Sequence, residues 1–319
     1  MINYHPKHRG KIVGILCACI SFGPVIFVGV YGSIFARGHI KDEEKQDLCG
    51  FYLMSAVTFG VAGCLGILFL KQLKIKMDDD TNDLLDSEAL LSPSIFKQQN
   101  DVTGQKLIRR RDFHYVFWAF IFSTSLLLTF QNNTGTYLKS FGLESYITIS
   151  ATLVPIAGVF SKLFAGVLSD FILLKVPRSG ILFIITVIQT ICLILSIFLL
   201  DKLIFFIIAV IFFGSSNGIY FSITPTMVSE FYGMKYFGRN YGFVLLGQAF
   251  CHLFMQQIFG TLYDLNTDSR NNCFGLHCFM WSFIIFTVLS SCATVLIFCL
   301  LKKELNDRKK IQWKIDEQS

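Results

Sequence analysis

The amino-acid sequence predicts an all-α integral membrane protein with eight transmembrane helices arranged as two plus six. Hydrophobic residues make up 53% of the 319-residue chain and charged residues only 16%, less than a soluble domain carries. Eight apolar stretches reach the length of about 20 residues that a helix needs to cross the hydrocarbon core. One polar segment of about forty residues separates the second stretch from the third. The predicted spans are 11–35, 50–70, 113–131, 146–168, 179–199, 203–225, 238–263 and 277–301.

The distribution of basic residues predicts the orientation of these spans. Lys and Arg concentrate before span 1, in the long loop after span 2 and after span 8, and are sparse in the segments between. Because cytoplasmic segments are enriched in Lys and Arg, both termini and the long loop are predicted to be cytoplasmic. The net charge of +6 therefore reflects topology and does not indicate a nucleic-acid partner.

The chain divides into four parts on this pattern. Residues 1–71 hold the first two helices, 72–112 form a cytoplasmic linker loop, 113–301 form a six-helix half and 302–319 form a cytoplasmic tail. The loop is predicted to be disordered because few of its residues could build a core. Its segments 80–85 and 86–91 either form short amphipathic turns or resemble acidic-dileucine sorting signals. The membrane is accordingly expected to be the plasma membrane or one of vacuolar or lysosomal type.

Cysteine usage indicates no metal centre and no cofactor. Seven of the ten cysteines lie inside predicted spans, where a thiol behaves as a small apolar group. Cys49, Cys273 and Cys278 fall near the non-cytoplasmic ends of their spans, so they are either free or form a disulfide among themselves. The sequence has no CxxC pair, no zinc-type spacing and no catalytic motif such as HExxH, so an enzyme is not expected.

Three sequence blocks carry a resemblance to a known family. Residues 3–16, NYHPKHRGKIVGIL, resemble the entry to the fifth helix in nodulin-like transporters of the major facilitator superfamily. Residues 166–170, GVLSD, with Lys162 four residues earlier, are similar to the superfamily motif at the cytoplasmic end of the eighth helix. Residues 229–238 and 260–264 look like the segment between the tenth and eleventh helices and the end of the eleventh. The same group neighbours the monocarboxylate-porter-like transporters.

The resemblance implies a partial major facilitator fold that lacks its first four helices. Residues 1–71 would correspond to helices 5 and 6 of the N-terminal half. It implies a secondary transporter that moves a small-molecule substrate across the lipid bilayer by alternating access, with proton coupling resting on His252. The alternative is a truncated remnant or a subunit that depends on a partner chain and does not itself transport.

Charged residues at the cytoplasmic ends of the spans are predicted to form a gating network. The resemblance implies that Asp170 contacts the start of span 1 near Arg9, because an anion is favoured at a helix N-terminus; otherwise it is a solvated loop carboxylate. Lys162 is expected to reach the cytoplasmic interface in a gating or structural role rather than to bind substrate. The remaining predicted members of the network are Arg178, Glu230 and Arg239.

Polar residues at mid-membrane depth are the candidates for a substrate cavity. Gln248, His252 and Gln256 recur every four residues in span 7 and therefore share one helix face. Such a stripe faces either a cavity or a neighbouring helix, and His titrates near physiological pH. The other candidates are Gln131 and Asn132 at the end of span 3, and Asn217, Tyr220 and Ser222 in span 6.

Overall fold

The computed structural model describes residues 9–35, 47–69, 101–172, 176–267 and 273–316, and in these residues the secondary structure is helical. Seven of the described helices are long and apolar enough to cross a membrane. This result confirms the predicted all-α membrane fold. The first of the eight predicted spans, 11–35, is not among the seven; within it the described apolar helix is Val13–Gly23. The helices are α1 (Arg9–Val30), α2 (Leu48–Phe69), α3 (Gln105–Ile108), α4 (Arg111–Asn132), α5 (Thr134–Ser140), α6 (Ile147–Ile172), α7 (Arg178–Leu199), α8 (Leu203–Tyr232), α9 (Phe237–Asp264) and α10 (Met280–Asp316).

The predicted spans agree with these helices to within four residues, except at the ends of α8 and α10. Predicted span 11–35 corresponds to α1 and a short π-helical turn, Tyr31–Phe35. Helix α10 continues to Asp316, where a cytoplasmic tail was expected. Helix α8 continues through Pro225 to Tyr232, although a proline lacks the N–H that would bond the carbonyl four residues earlier.

The carbonyl that Pro225 leaves without its helical partner has found another donor. This carbonyl belongs to Phe221, and Cys17 Sγ on α1 lies 3.4 Å from its oxygen. A replacement donor from a neighbouring helix is the usual way in which a membrane helix tolerates an internal proline. The predicted span ended at this proline. The replacement donor on α1 could not be foreseen, because it is more than 200 residues away in the chain.

Residues 1–22 and 96–319 form one compact unit. Where two of its helices run parallel, their contacting residues are separated by a fixed number of positions in the chain. Helices α6 and α8 run parallel and meet at small residues. A Cβ on Gly218 would lie 2.6 Å from the Gly158 carbonyl, and one on Gly214 would lie 2.7 Å from the Val154 carbonyl. The absence of side chains there allows the two backbones to touch.

Aromatic side chains fill the core of this unit near the end where α5 lies. Phe130 meets the Phe213 ring at 4.7 Å and Tyr137 meets the Phe279 ring at 4.7 Å, both edge to face. All four side chains are buried. Edge-to-face packing is a favoured geometry of aromatic pairs, so this cluster holds α4, α5, α8 and the start of α10 together.

Residues 101–110 are the described part of the predicted linker loop, and they are ordered. The Val102 N–H donates to the Tyr232 carbonyl at 3.1 Å, and the Asn240 amide donates to the Val102 carbonyl at 2.8 Å. Leu107 is buried in the core. We call the end of the unit at which residues 101–110 pack the linker end, and the other the opposite end. The dileucine segments 80–85 and 86–91 lie outside the described residues.

Residues 23–95 form a second unit, in which the described residues are those of 23–35 and 47–69. Its contacts are aromatic: Phe51 meets the rings of Tyr31 at 5.0 Å and Phe35 at 5.7 Å, and Phe27 stacks on Phe59 at 5.4 Å. The side chain of Asp47 caps α2 by accepting a 2.8 Å bond from the Gly50 N–H.

Candidate functional site

A buried arginine at the start of α7 joins two helices at the linker end. Arg178 is 3% exposed, and its Nε lies 3.0 and 3.1 Å from the two carboxylate oxygens of Glu230 on α8. Its Nη2 donates to Asp170 at 2.9 Å, and its Nη1 donates to the Ser169 hydroxyl, both on α6. We call these four residues the Arg178 cluster. A guanidinium suits this role because its fixed fork of donors serves several acceptors at once.

The structure brings together three members of the predicted charge network and leaves others apart. Asp170, Arg178 and Glu230 form the Arg178 cluster. Arg239 is not among the partners of Arg178; its Nη2 lies 3.8 Å from where a Cβ on Gly104 would stand. The side chain of Arg9 lies outside the described residues, and so does its predicted contact with Asp170.

Helix α10 brings a second group of charges to the linker end that sequence reasoning missed. The Ser179 hydroxyl donates to Glu304 at 2.6 Å, and Arg308 lies 3.7 Å from the same carboxylate. Asp112 at the start of α4 pairs with Arg110 at 2.9 Å and with Lys303 at 3.3 Å. The spacing of Glu304 and Arg308, four residues apart, could have predicted an ion pair on one helix face. It does not reveal the partner Ser179 on α7.

Lys162 on α6 is the second buried cation of the unit, and its surroundings differ. It is 9% exposed; its Nζ donates to the Ser21 hydroxyl on α1 and lies 5.6 Å from the centre of the Phe221 ring. Within the part of the chain that the structure describes, no carboxylate pairs with this ammonium group. The Ser222 hydroxyl donates to the Lys162 backbone carbonyl at 3.2 Å.

The ammonium group of Lys162 points away from the linker end, contrary to the expectation that it reaches the interface there. A Cβ on Gly14 would lie 2.7 Å from the Lys162 carbonyl, which fixes the level at which α1 crosses α6. Ser21 is seven residues further along α1, about 10 Å toward the opposite end. Lys162 itself is ten residues before the end of α6, about 15 Å along the helix from the linker end. The cation therefore lies within the helix bundle, away from the linker end.

A continuous set of polar contacts joins α4 to α9, and we call it the α4–α9 seam. The Ser125 hydroxyl donates to the Gln248 backbone carbonyl at 3.3 Å. The amides of Asn133 and Gln256 bond each other reciprocally at 3.0 and 3.1 Å. These pairs share one residue offset, so the two helices run parallel. The predicted stripe on α9 thus faces a neighbouring helix.

His252 occupies the middle of the α4–α9 seam, with both ring nitrogens engaged. Nε2 lies 3.1 Å from the Asn132 amide nitrogen, and Nδ1 lies 3.3 Å from the Thr129 hydroxyl. An amide nitrogen only donates, so Nε2 accepts and Nδ1 carries the proton that is donated to Thr129. The Thr129 hydroxyl in turn donates to the Ser125 carbonyl at 2.9 Å. This arrangement holds a neutral imidazole with one defined tautomer.

The other predicted cavity residues are distributed over different places. Ser222 lies beside Lys162, and Asn132 lies in the α4–α9 seam. Tyr220 is wholly buried in the core between α4, α7 and α8, and Asn217 is partly buried. Gln131 is partly buried at the end of α4. The described residues therefore place the candidates in two polar sites and the core, rather than around one cavity.

Comparison with known proteins places this helical membrane protein in a family. Residues 3–255 match the family model described as Major Facilitator Superfamily. Because the match covers well over half of the chain, the protein belongs to the Major Facilitator Superfamily. The nodulin-like and monocarboxylate-porter-like subgroup stays a prediction.

A curated relative is named a transporter. The "Probable transporter MCH1" of Yarrowia lipolytica (strain CLIB 122 / E 150) is 27% identical over 181 residues, which is 52% of this chain. The matched segment spans 37% of the length of that relative. Family and relative together support a transporter function.

Proposed function

We propose that this protein acts as a secondary transporter of a small organic anion, with the Lys162 ammonium group as the anion-binding site. The observation that carries the proposal is the burial of this cation inside the helix bundle beside a hydroxyl and an aromatic ring. Taking an ion out of water costs several kcal/mol unless an opposite charge accompanies it. A carboxylate substrate supplies that opposite charge, so substrate binding relieves the cost.

The neighbours of Lys162 suit a site that must open and close. Its polar partner Ser21 is on α1, which was predicted to belong to the other half of the transporter. The hydroxyl is a weak competitor for an ammonium group, because a neutral partner binds a cation less strongly than a carboxylate does. An arriving anion would displace it and change the contact between α1 and α6, which is the kind of event that alternating access requires.

Proton coupling is proposed to reside in His252. In the α4–α9 seam the imidazole is neutral, and its Nε2 accepts from Asn132. A proton taken up at Nε2 turns this atom into a donor, so the Asn132 amide must rotate to present its oxygen. His is the side chain whose ordinary pKa lies closest to physiological pH, which makes the rearrangement accessible there. Cotransport of one proton with one monocarboxylate carries no net charge.

Uptake of a radiolabelled carboxylate tests the proposal. Cells that express the protein should accumulate lactate, used as the probe anion, faster than cells with an empty vector, and should not accumulate a neutral sugar. Lys162→Met should reduce lactate uptake by about a hundredfold or more, because the site is then left without its charge. Lys162→Arg should retain part of it.

The matched control is a lysine outside the proposed site. Lys202 lies between α7 and α8, and its side chain is 70% exposed beside Asp201. Lys202→Met removes the same charge and should leave uptake within about twofold, since an exposed ion pair contributes little. Equal lactate uptake by Lys162→Met and wild type, at equal surface expression, would refute the anion site.

A further inference from the structure

Three metal-ligating side chains converge in the loop between α9 and α10, at the opposite end. The loop carries Cys273, His277 and Cys278, and the two cysteines form a disulfide. All three ligand atoms lie within 4.8 Å of one another. Cys49, the third cysteine expected near this side of the membrane, is a free exposed thiol.

We propose that the reduced form of this loop binds one thiophilic d¹⁰ metal ion, with Zn²⁺ as the representative, through Cys273, His277 and Cys278. The fourth position would be filled by water or by an external ligand. The proposal is independent of the transport function. It gives the loop two exclusive states, an oxidised disulfide and a reduced metal-bound form.

The distances between the ligand atoms support a tetrahedral site. With Zn–S bonds of about 2.3 Å and a Zn–N bond of about 2.0 Å, a sulfur and a nitrogen ligand stand about 3.6 Å apart. His277 Nε2 lies 3.7 Å from Cys273 Sγ and 3.9 Å from Cys278 Sγ. The histidine is therefore already at ligand distance from both sulfurs. Only the two sulfurs must separate, to about 3.8 Å, when the disulfide opens.

Contacts with the bundle hold the loop in this conformation. The Gly275 N–H donates to the Ser140 carbonyl of α5 at 3.1 Å, and Gly275 has a φ of +93°, which favours glycine. Directly after Cys278, Phe279 stacks on Phe259 at 5.8 Å and on Tyr263 at 5.5 Å. Because the backbone is held at Gly275 and again at Phe279, we expect the ligands to stay close after reduction, which lowers the entropy cost of binding an ion.

The site is also open to ions from solution. Cys273 and Cys278 are buried, 4% and 1% exposed, but His277 and its neighbour Phe274 are exposed. The two sulfur atoms are thus buried against the protein, and the imidazole lies on their solvent-exposed side. Buried thiolates with one exposed nitrogen ligand give a metal ion an entry path together with a water-poor surrounding.

The two states interconvert by a balanced exchange. A dithiol reductant transfers two electrons to the Cys273–Cys278 disulfide, which yields two cysteine thiols and the oxidised cyclic disulfide of the reductant. Zn²⁺ then binds both sulfurs as thiolates and the neutral imidazole, and two protons are released. A small-molecule disulfide reverses the exchange: it accepts two electrons and two protons to give two thiols, the Cys273–Cys278 bond re-forms and the ion is released.

Cobalt binding to the purified full-length chain in detergent tests the site, because thiolate–Co²⁺ bonds absorb in the near ultraviolet. After reduction and removal of the reductant, wild-type protein should bind one Co²⁺ and Zn²⁺ should displace it. Protein with the disulfide intact should bind none at the same concentration. His277→Ala should weaken binding about tenfold or more, and Cys278→Ser should remove about half of the absorbance.

Cys292→Ser on α10 is the matched control, since Cys292 is an exposed free thiol outside the loop. It should bind Co²⁺ as wild type does. The proposal is overturned if the reduced wild type binds no more Co²⁺ than the double variant Cys273→Ser/Cys278→Ser, or if His277→Ala binds as tightly as wild type. Either result would leave the disulfide with a structural role only.

A second measurement needs no variant and so does not depend on how a variant folds. Reduced wild-type protein is alkylated with a maleimide with and without Zn²⁺, and each cysteine is followed by mass spectrometry. Zn²⁺ should slow the alkylation of Cys273 and Cys278 about tenfold or more and leave Cys292 unchanged. Equal rates at Cys273 and Cys278 with and without Zn²⁺ would contradict the site.

Discussion

Two buried cations lie along helix α6, and their surroundings differ. Arg178 is paired with carboxylates, whereas no described carboxylate pairs with Lys162. Near the end of α6, Asp170 and Ser169 meet Arg178, which also binds Glu230 through both carboxylate oxygens. Eight residues earlier, the ammonium group of Lys162 has a hydroxyl, an aromatic ring and the Cys17 thiol as described neighbours, and no described carboxylate pairs with it. Both cations are at least nine-tenths buried.

This difference in partners distinguishes a charge that stabilises the fold, on Arg178, from a charge that can bind a ligand, on Lys162. Removing one partner of a buried ion pair leaves the other charge unpaired, which is strongly destabilising. A buried cation without a carboxylate partner already bears its desolvation cost, so its removal relieves that cost. We therefore expect Arg178 to contribute to the stability of the fold and Lys162 to serve the proposed anion site.

The largest expected effect is the contrast in stability between the two cations. Arg178→Ala should lower the free energy of unfolding in mixed detergent micelles by about 3–5 kcal/mol, because Asp170 and Glu230 both lose the buried guanidinium that binds them. Lys162→Met should leave it unchanged or raise it by about 1–4 kcal/mol, because the buried charge without a described carboxylate partner is then gone. Denaturation with sodium dodecyl sulfate measures both; equal losses of stability would break the distinction.

The contact that brings α1 to Lys162 gives the next effect. Gly14→Leu places a side chain where a Cβ already lies 2.7 Å from the Lys162 carbonyl and 3.2 Å from Gly166 Cα. Overpacking of this kind costs about 1–3 kcal/mol, measured in the same unfolding assay. Gly23→Leu is the control on the same helix, since nothing described lies within 4 Å of a Cβ there. Equal effects of the two substitutions would show that the close approach is unimportant.

Giving Lys162 a carboxylate partner should make it resemble Arg178. Ser21→Asp places an anion beside the Nζ atom in place of the hydroxyl. We expect the free energy of unfolding to stay within about 1 kcal/mol of wild type or to rise, because the new pair offsets the buried charge. Lactate uptake should fall at least tenfold, since the carboxylate competes with the substrate. Ser21→Asn is the neutral control, and undiminished uptake by Ser21→Asp would contradict the account.

The smallest effect on stability is expected in the α4–α9 seam, away from both cations. His252→Gln loses the bond to Thr129 or to Asn132, and such bonds between membrane helices contribute about 0.6 kcal/mol on average. Uptake should lose the part of its pH dependence that comes from titration of the imidazole, because the titrating group is gone. An unchanged pH profile would exclude His252 as the proton site.

The helices could be predicted from the sequence because span length and apolarity are local properties. The same holds for the charged motif at the end of α6, where Asp170 and Arg178 lie eight residues apart in the chain. The direction of the Lys162 side chain could not be predicted, because it depends on Ser21, which is 141 residues away. The bonds that α9 makes with α4 were equally hidden: periodicity identified the polar stripe, but not the helix that it faces.

Protection by a bound anion tests the central claim most directly. Purified wild-type protein and Lys162→Met are heated in detergent with increasing lactate, at constant ionic strength. We predict that lactate raises the melting temperature of wild type in proportion to the logarithm of its concentration above Kd and leaves that of Lys162→Met unchanged. An equal rise in both proteins would place the anion elsewhere and contradict the role of Lys162.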